Sequence, residues 1–158
     1  MPFDKLRAGY RAPSIMNLKI KLIDTTLPTP EYKTTGAVAF DLYSRIDLEI
    51  PPKTLSLIPL NVIIQIPPGY FIGLFSRSSL PIKKNLMCAN GVGVMDADFC
   101  GSTDEYKFEA YNFSDSPIKI ERGERICQAV LIPYAKPNIE LISEITEPSR
   151  GGLGSTGS

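Results

Sequence analysis

The sequence predicts an all-β fold, a sandwich, jelly roll or barrel with at most one short helix. Three observations lead there. Strand-like patterns run through almost the whole chain, the runs are short, and proline and glycine cut them at near-regular spacing. "LKIKLI" alternates apolar and polar residues from Leu18 and reads as the first strand. "AFDLYS" follows as an apolar strand that carries Asp41. "IDLEIPPKTLSLIPLNVIIQIPPGYFIGLFSR" divides into several strands at Pro51, Pro52, Pro59, Pro67, Pro68 and Gly69. The one helical turn is expected after "SRSS", with Ser78 or Ser79 as its cap and Pro81 in its first turn. "DEYKFEAYNF", "SPIKIERGERICQAVLIPY" with a turn at Gly123, and "NIELISEI" complete the expected strands.

Composition narrows the function classes. The chain has 158 residues, 43% of them apolar, which suits a single domain with a real core. Seventeen basic and seventeen acidic residues cancel, so bulk electrostatics points to neither a nucleic-acid nor a membrane partner. No apolar run is long enough to span a bilayer and no secretion-signal layout opens the chain, so a cytoplasmic location is expected. Cys88, Cys100 and Cys127 are odd in number and lack CxxC spacing, and they read as reduced, buried thiols. The chain contains no histidine. Ser-His-Asp and Cys-His nucleophile systems and imidazole-ligated zinc are therefore excluded, and proton transfer falls to a carboxylate ahead of lysine or tyrosine.

"NGVGVMDADFCG", Asn90 to Gly101, offers that carboxylate. Gly91 and Gly93 favour a hairpin whose bare backbone approaches a flat ligand, with Val94 and Met95 contributing main-chain groups, Asn90 an amide, and Asp96 standing where the pocket meets solvent. A tight turn capped by aspartate is the plain alternative. Arg77 with Ser78 and Ser79 suits phosphate oxygens, against a surface arginine beside capping serines. Asp41 in its apolar strand needs a cation or a metal-bound water, or else a salt bridge to a neighbouring strand. Gln128, with Arg125 nearby, is a ligand amide, against a structural amide or an ion pair. Residues 1–15 lack a clear period and read as a disordered or spurious extension before Met16. Residues 16–147 form the β domain, and the glycine-rich 148–158 a mobile tail.

Five segments in order, "AVAFDLYS", "GLFSRSSL", "NGVGVMDADFCG", "RGERICQ" and "GGLGSTG", resemble the five motifs of the trimeric dUTPases, and the match runs from about Met16 to the end. The resemblance implies a distorted jelly-roll (β-clip) homotrimer with three active sites at subunit interfaces and Mg²⁺ on the triphosphate of dUTP. It implies Asp96 as the base that activates water for attack on the α-phosphorus, giving dUMP and pyrophosphate, which limits uracil in DNA and supplies dUMP for thymidylate synthesis. Asn90, Gly93, Val94 and Met95 would hold uracil, and Phe99 would underlie the deoxyribose. Arg77, Ser78, Ser79 and Gln128 would hold phosphates, and Asp41 the water shell of Mg²⁺. The tail would close over a neighbouring subunit's site, with Leu153 over the base and Gly154, Ser155, Thr156 and Gly157 at the γ-phosphate.

The sequence departs from the family at four places. Leu153 replaces the stacking phenylalanine of the arm, and Arg150 lies closer to it than the family's phosphate-binding arginine. Phe99 replaces a tyrosine, and "GSTDEY" lengthens the turn after Gly101. Glu109 in "FEAYN" resembles the catalytic glutamate of the related dCTP deaminases, which makes deamination, alone or coupled to dUTP hydrolysis, the second reading; against it, Ile82 stands where those enzymes carry a further arginine. A nucleotide-binding trimer without turnover is the third reading, motivated by Leu153 and Arg150.

Overall fold

A computed structural model describes residues 16–149, 151 and 152. Eleven strands and one helix are present among them: β1 (Lys19–Leu22), β2 (Phe40–Tyr43), β3 (Leu48–Ile50), β4 (Leu55–Pro59), β5 (Val62–Gln65), β6 (Tyr70–Ser76), α1 (Leu80–Lys84), β7 (Leu86–Cys88), β8 (Gly93–Met95), β9 (Lys107–Asn112), β10 (Ile118–Ile120) and β11 (Arg125–Pro133). They form a four-stranded sheet in the order β2-β11-β6-β8, a three-stranded sheet β4-β9-β7, and the pairs β1-β5 and β10-β3, with every pairing antiparallel.

One core lies between the sheets. Leu42, Ile72, Leu74 and Ala129 from the four-stranded sheet join Ile58, Phe108, Ala110 and Leu86 from the three-stranded one, with Ile50, Ile64 and Ile120 from the two pairs. Strand β9 shows how the pattern is set: Phe108, Ala110 and Asn112 point inward at period two. The prolines act as expected, since they separate β3 from β4 and β5 from β6 where a missing N–H costs no ladder bond. Asn85 ends α1 in the left-handed region at φ 51°, where its N–H donates to the Pro81 carbonyl.

Asn112 ties the inner layers together. It is fully buried, its amide nitrogen donates to the carbonyls of Ile50, Pro51 and Ser116, and its Oδ1 accepts from the backbone and hydroxyl of Ser114. Asn112→Leu keeps the branched outline, at a larger volume, and strands those groups away from water. We expect it to lose roughly 2–4 kcal/mol in chemical denaturation; a loss below about 1 kcal/mol would show that the network is not structural.

Four expectations from the sequence are corrected. "NIELISEI" is not a strand: residues 138–145 carry no regular structure, and Ile139 and Leu141 are 91% and 94% exposed. Asn138 to Leu141 do alternate, but a strand exists through its pairing, and no sheet edge among the described residues takes it. The glycine segment is not a hairpin. Strand β7 pairs with β9 and β8 pairs with β6, so residues 89–92 form a turn that crosses from one sheet to the other. Gly91 adopts φ 73° in that turn, and its N–H donates to the Cys88 carbonyl. Ser79 stands at the N-cap of α1 but makes no capping hydrogen bond, because its backbone is already helical. The cysteines are not uniformly buried: Cys127 is, Cys88 is half-buried, and Cys100 is exposed. Burial pushes the Cys127 thiol well above its ordinary range and raises Cys88 less far.

Candidate active site

Strand β8 is the outer strand of the four-stranded sheet, and it ends one residue before Asp96. Gly93 lies against β6, where an added Cβ would stand 3.1 Å from the Leu74 Cβ, a tight contact that the bare backbone avoids. The chain turns back after Asp96, with the Phe99 N–H donating to the Asp96 carbonyl. The Asp96 carboxylate is exposed and has no hydrogen-bond or ion-pair partner among the described residues. A cleft of about 360 Å³ opens beside it, lined by Val94, Met95, Asp96, Asp98 and Phe99. A second cleft of about 330 Å³ on its other side is lined by Phe71, Val94, Asp96, Tyr134 and Lys136. Asp96 therefore stands on a ridge with an apolar wall on each flank and water access above.

Asn90 is exposed, and the Cys88 thiol donates to its Oδ1 at 3.0 Å. The Cys88 N–H in turn donates to the Ser76 hydroxyl. These two bonds join the turn at Asn90 to the end of β6.

A polar cluster occupies that end of the sheet. Asp41 is 8% exposed, and its two oxygens receive Nε of Arg77 at 3.1 Å and Nη1 of Arg125 at 3.0 Å. The salt bridge is thus the partner that this strand acid needed, supplied twice over. Gln128 faces Asp41 across the β2–β11 ladder and donates to the Ser76 carbonyl, while Arg77 Nη1 also donates to the Arg125 carbonyl. Ser78 is exposed and Ser79 half-buried. For Arg125 the ion pair among the sequence's alternatives is the one present; its partner could not be read from the sequence, because Asp41 is 84 residues away.

The register keeps Asp96 and this cluster apart. Met95 faces Ile72, so Asp96 falls opposite Phe71 on the next ladder step. Arg77 lies six residues further along, about 20 Å of extended strand. Arg150, Leu153, Gly154, Ser155, Thr156 and Gly157 lie outside the described residues, as does the segment 1–15. Glu109 sits on β9 opposite Leu57 and lines neither cleft beside Asp96.

The profile of the dUTPase family matches residues 25–158, from before β2 through the glycine-rich tail. The chain belongs to the dUTPase family. The deoxyuridine 5'-triphosphate nucleotidohydrolase of Dictyoglomus turgidum is 37% identical over 149 residues, covering 90% of this chain and 99% of that protein. That of avian adenovirus 8 is 39% identical over 131 residues, covering 82% of this chain and 77% of its own length. Among solved structures, the dUTPase of Streptococcus mutans superposes with a TM-score of 0.70 at 30% identity, covering 75% of this chain and 98% of that one. The Staphylococcus bacteriophage 80alpha dUTPase, solved with dUpNHpp, superposes with a TM-score of 0.78 at 26% identity, covering 90% of this chain and 99% of that one.

dUTPases generally use a divalent metal. This dUTPase has no group of three His, Cys, Asp or Glu among its described residues that could cage one. Asp41 is charge-compensated by two guanidinium groups, so it is better suited to accept hydrogen bonds from the water of an ion carried by substrate phosphates than to ligate the ion directly. No described helix is long and apolar enough to cross a membrane.

Proposed function

We propose that this dUTPase cleaves dUTP to dUMP and pyrophosphate by attack of water on the α-phosphorus, with Asp96 as the general base. The single observation that carries the assignment is an unpartnered, exposed carboxylate on the ridge between two clefts, in a chain without histidine. Asp96 holds the attacking water and takes its proton. Asn90 and the backbone of Gly93, Val94 and Met95 hold uracil, a close-fitting site that leaves no room for thymine's methyl. Phe99 forms the floor under the deoxyribose. Arg77, Ser78, Ser79 and Gln128 bind phosphate oxygens, and Arg77 is pre-positioned for this by Asp41. Mg²⁺, when bound, would supply charge neutralisation at the triphosphate, and Asp41 would hold its shell through water.

One nucleotide cannot touch Asp96 and Arg77 of the same chain across about 20 Å of strand. The proposed site is therefore shared between copies of the chain, with Asp96 from one and the Arg77 cluster from another, and the family likeness makes the assembly a homotrimer. The exposed apolar surface agrees with this. Leu55, Tyr111 and Met87 share one cross-strand row on the outer face of the three-stranded sheet, Leu57 lies beside them, and Ile139, Leu141 and Ile145 are largely exposed. The tail from Gly151 closes over the nucleotide and excludes water, with Leu153 against the base and Arg150, Gly154, Ser155 and Thr156 at the phosphates. The reading includes a cytoplasmic location, where the substrate pool lies.

Product analysis tests the assignment. Purified protein is incubated separately with dUTP, dCTP and dTTP, with Mg²⁺ and with chelator. Metal-dependent dUMP and pyrophosphate from dUTP alone are expected. Uracil nucleotides from dCTP would bring Glu109 to the centre, and nucleotide binding without turnover would mean a binding trimer. Deletion from Gly151 onward is expected to lower turnover far more than melting temperature; an unchanged rate would sink the role of the tail.

A further inference from the structure

We propose that Tyr106, a core residue that no cleft exposes, is a positioning residue for sugar selectivity: it is the backstop that fixes the ring of Phe99. The inference rests on the reading of Phe99 as the floor under the deoxyribose and deepens it.

Phe99 is 41% exposed and lines the cleft beside Asp96. Its inner side lies against Tyr106, with ring centroids 6.1 Å apart and planes at 22°, a stacked pair. Tyr106 itself has no freedom to retreat. It is fully buried, its N–H donates to the Val62 carbonyl, and its own carbonyl accepts from the Leu60 N–H. The next residue back, Glu105, makes two bonds to the Arg45 guanidinium and accepts from the Asn61 N–H.

The segment between the two rings explains how they meet. After Phe99 the chain loops through residues 100–105, closed by the Gly101 N–H on the Asp104 carboxylate and by the Asp104 N–H on the Gly101 carbonyl. This is the "GSTDEY" stretch whose extra length stood out in the sequence. The loop returns the chain so that the residue at its end lies under the residue at its start.

A phenylalanine floor without a tyrosine hydroxyl excludes a ribose 2′-hydroxyl by contact alone. Contact excludes only if the ring cannot give way. A free, half-exposed ring rotates or recedes to admit one extra oxygen; a ring stacked on a clamped core side chain does not. The Tyr106 hydroxyl takes no part in this. It is buried without a hydrogen-bond partner among the described residues, so the ring plane is the part of the side chain that the proposal uses.

The test compares kcat/KM for dUTP and UTP in the wild type, Tyr106→Phe, Tyr106→Leu and Phe99→Ala. Tyr106→Phe keeps the plane and removes the orphan hydroxyl, so its dUTP preference is expected to stay within about twofold and its melting temperature to hold or rise. Tyr106→Leu removes the plane, and the preference is expected to fall roughly threefold to tenfold, the range that a lost aromatic pair carries, through KM rather than kcat. An unchanged preference in Tyr106→Leu overturns the proposal even if stability falls. An equal loss in Tyr106→Phe also overturns it, because the hydroxyl would then be the active part. Phe99→Ala separates the two levels: if it leaves the preference intact, the floor itself is wrong; if it lowers the preference and Tyr106→Leu does not, the backstop alone fails. Should Tyr106→Leu not fold, nuclear Overhauser contacts between the two rings of the wild type decide. Their persistence in the dUMP complex supports the proposal, and their loss on binding overturns it.

Discussion

Asp96→Asn is expected to lower kcat by at least about 100-fold, the smaller end of what a positioned general base supplies, while a non-hydrolysable dUTP analogue binds within about twofold of wild type. The substitution is nearly isosteric. Because the Asp96 side chain is exposed and has no partner among the described residues, the fold loses nothing by it. An amide accepts a hydrogen bond from water but cannot take its proton at neutral pH. The variant therefore separates binding from chemistry. Single-turnover kinetics with a parallel melting curve checks it, and a rate above about a tenth of wild type would remove Asp96 as the base.

The second large effect is a rescue. Arg77→Ala is expected to be nearly as inactive as Asp96→Asn, because a cation within hydrogen-bond reach of transferring phosphates stabilises charge that water would otherwise solvate. If each site takes Asp96 from one subunit and Arg77 from another, refolding the two inactive variants together restores activity. With equal amounts and random assembly, about one site in four receives both intact residues, so roughly a quarter of wild-type turnover is expected. Subunits mixed without unfolding give the zero point. No rescue in the refolded mixture would place both residues in one chain's site and would contradict the strand register, in which Asp96 falls opposite Phe71 and Arg77 lies past the far end of β6.

The strands were legible because their information is local. Period-two burial in β9, prolines at strand ends and the turn at Gly123 are consequences of backbone sterics and of one face meeting the core, and both are written into adjacent residues. The exception marks where local information stops. "NIELISEI" opens with an alternation like that of β9, but β9 lies between β4 and β7 while residues 138–145 pair with no strand among the described residues.

The site divides in the same way. The missing histidines and the ordered motifs pointed to Asp96 before any coordinates, because the choice of a proton acceptor depends on which residue types exist. A salt bridge for Asp41 was legible as an alternative, but not that Arg77 and Arg125 supply it; nor were the crossing of residues 89–92 between sheets and the stack of Phe99 on Tyr106, since each joins groups through packing and not through spacing. Residue types and their order suffice for most of the strands, for the family and for a candidate base, since these follow from chemistry within a few bonds or from a pattern read along the chain. Which cation meets which carboxylate, and at which end of β6 each part of the site stands, belongs to the tertiary fold, because antiparallel register converts a separation along the chain into a distance in space that no local pattern encodes.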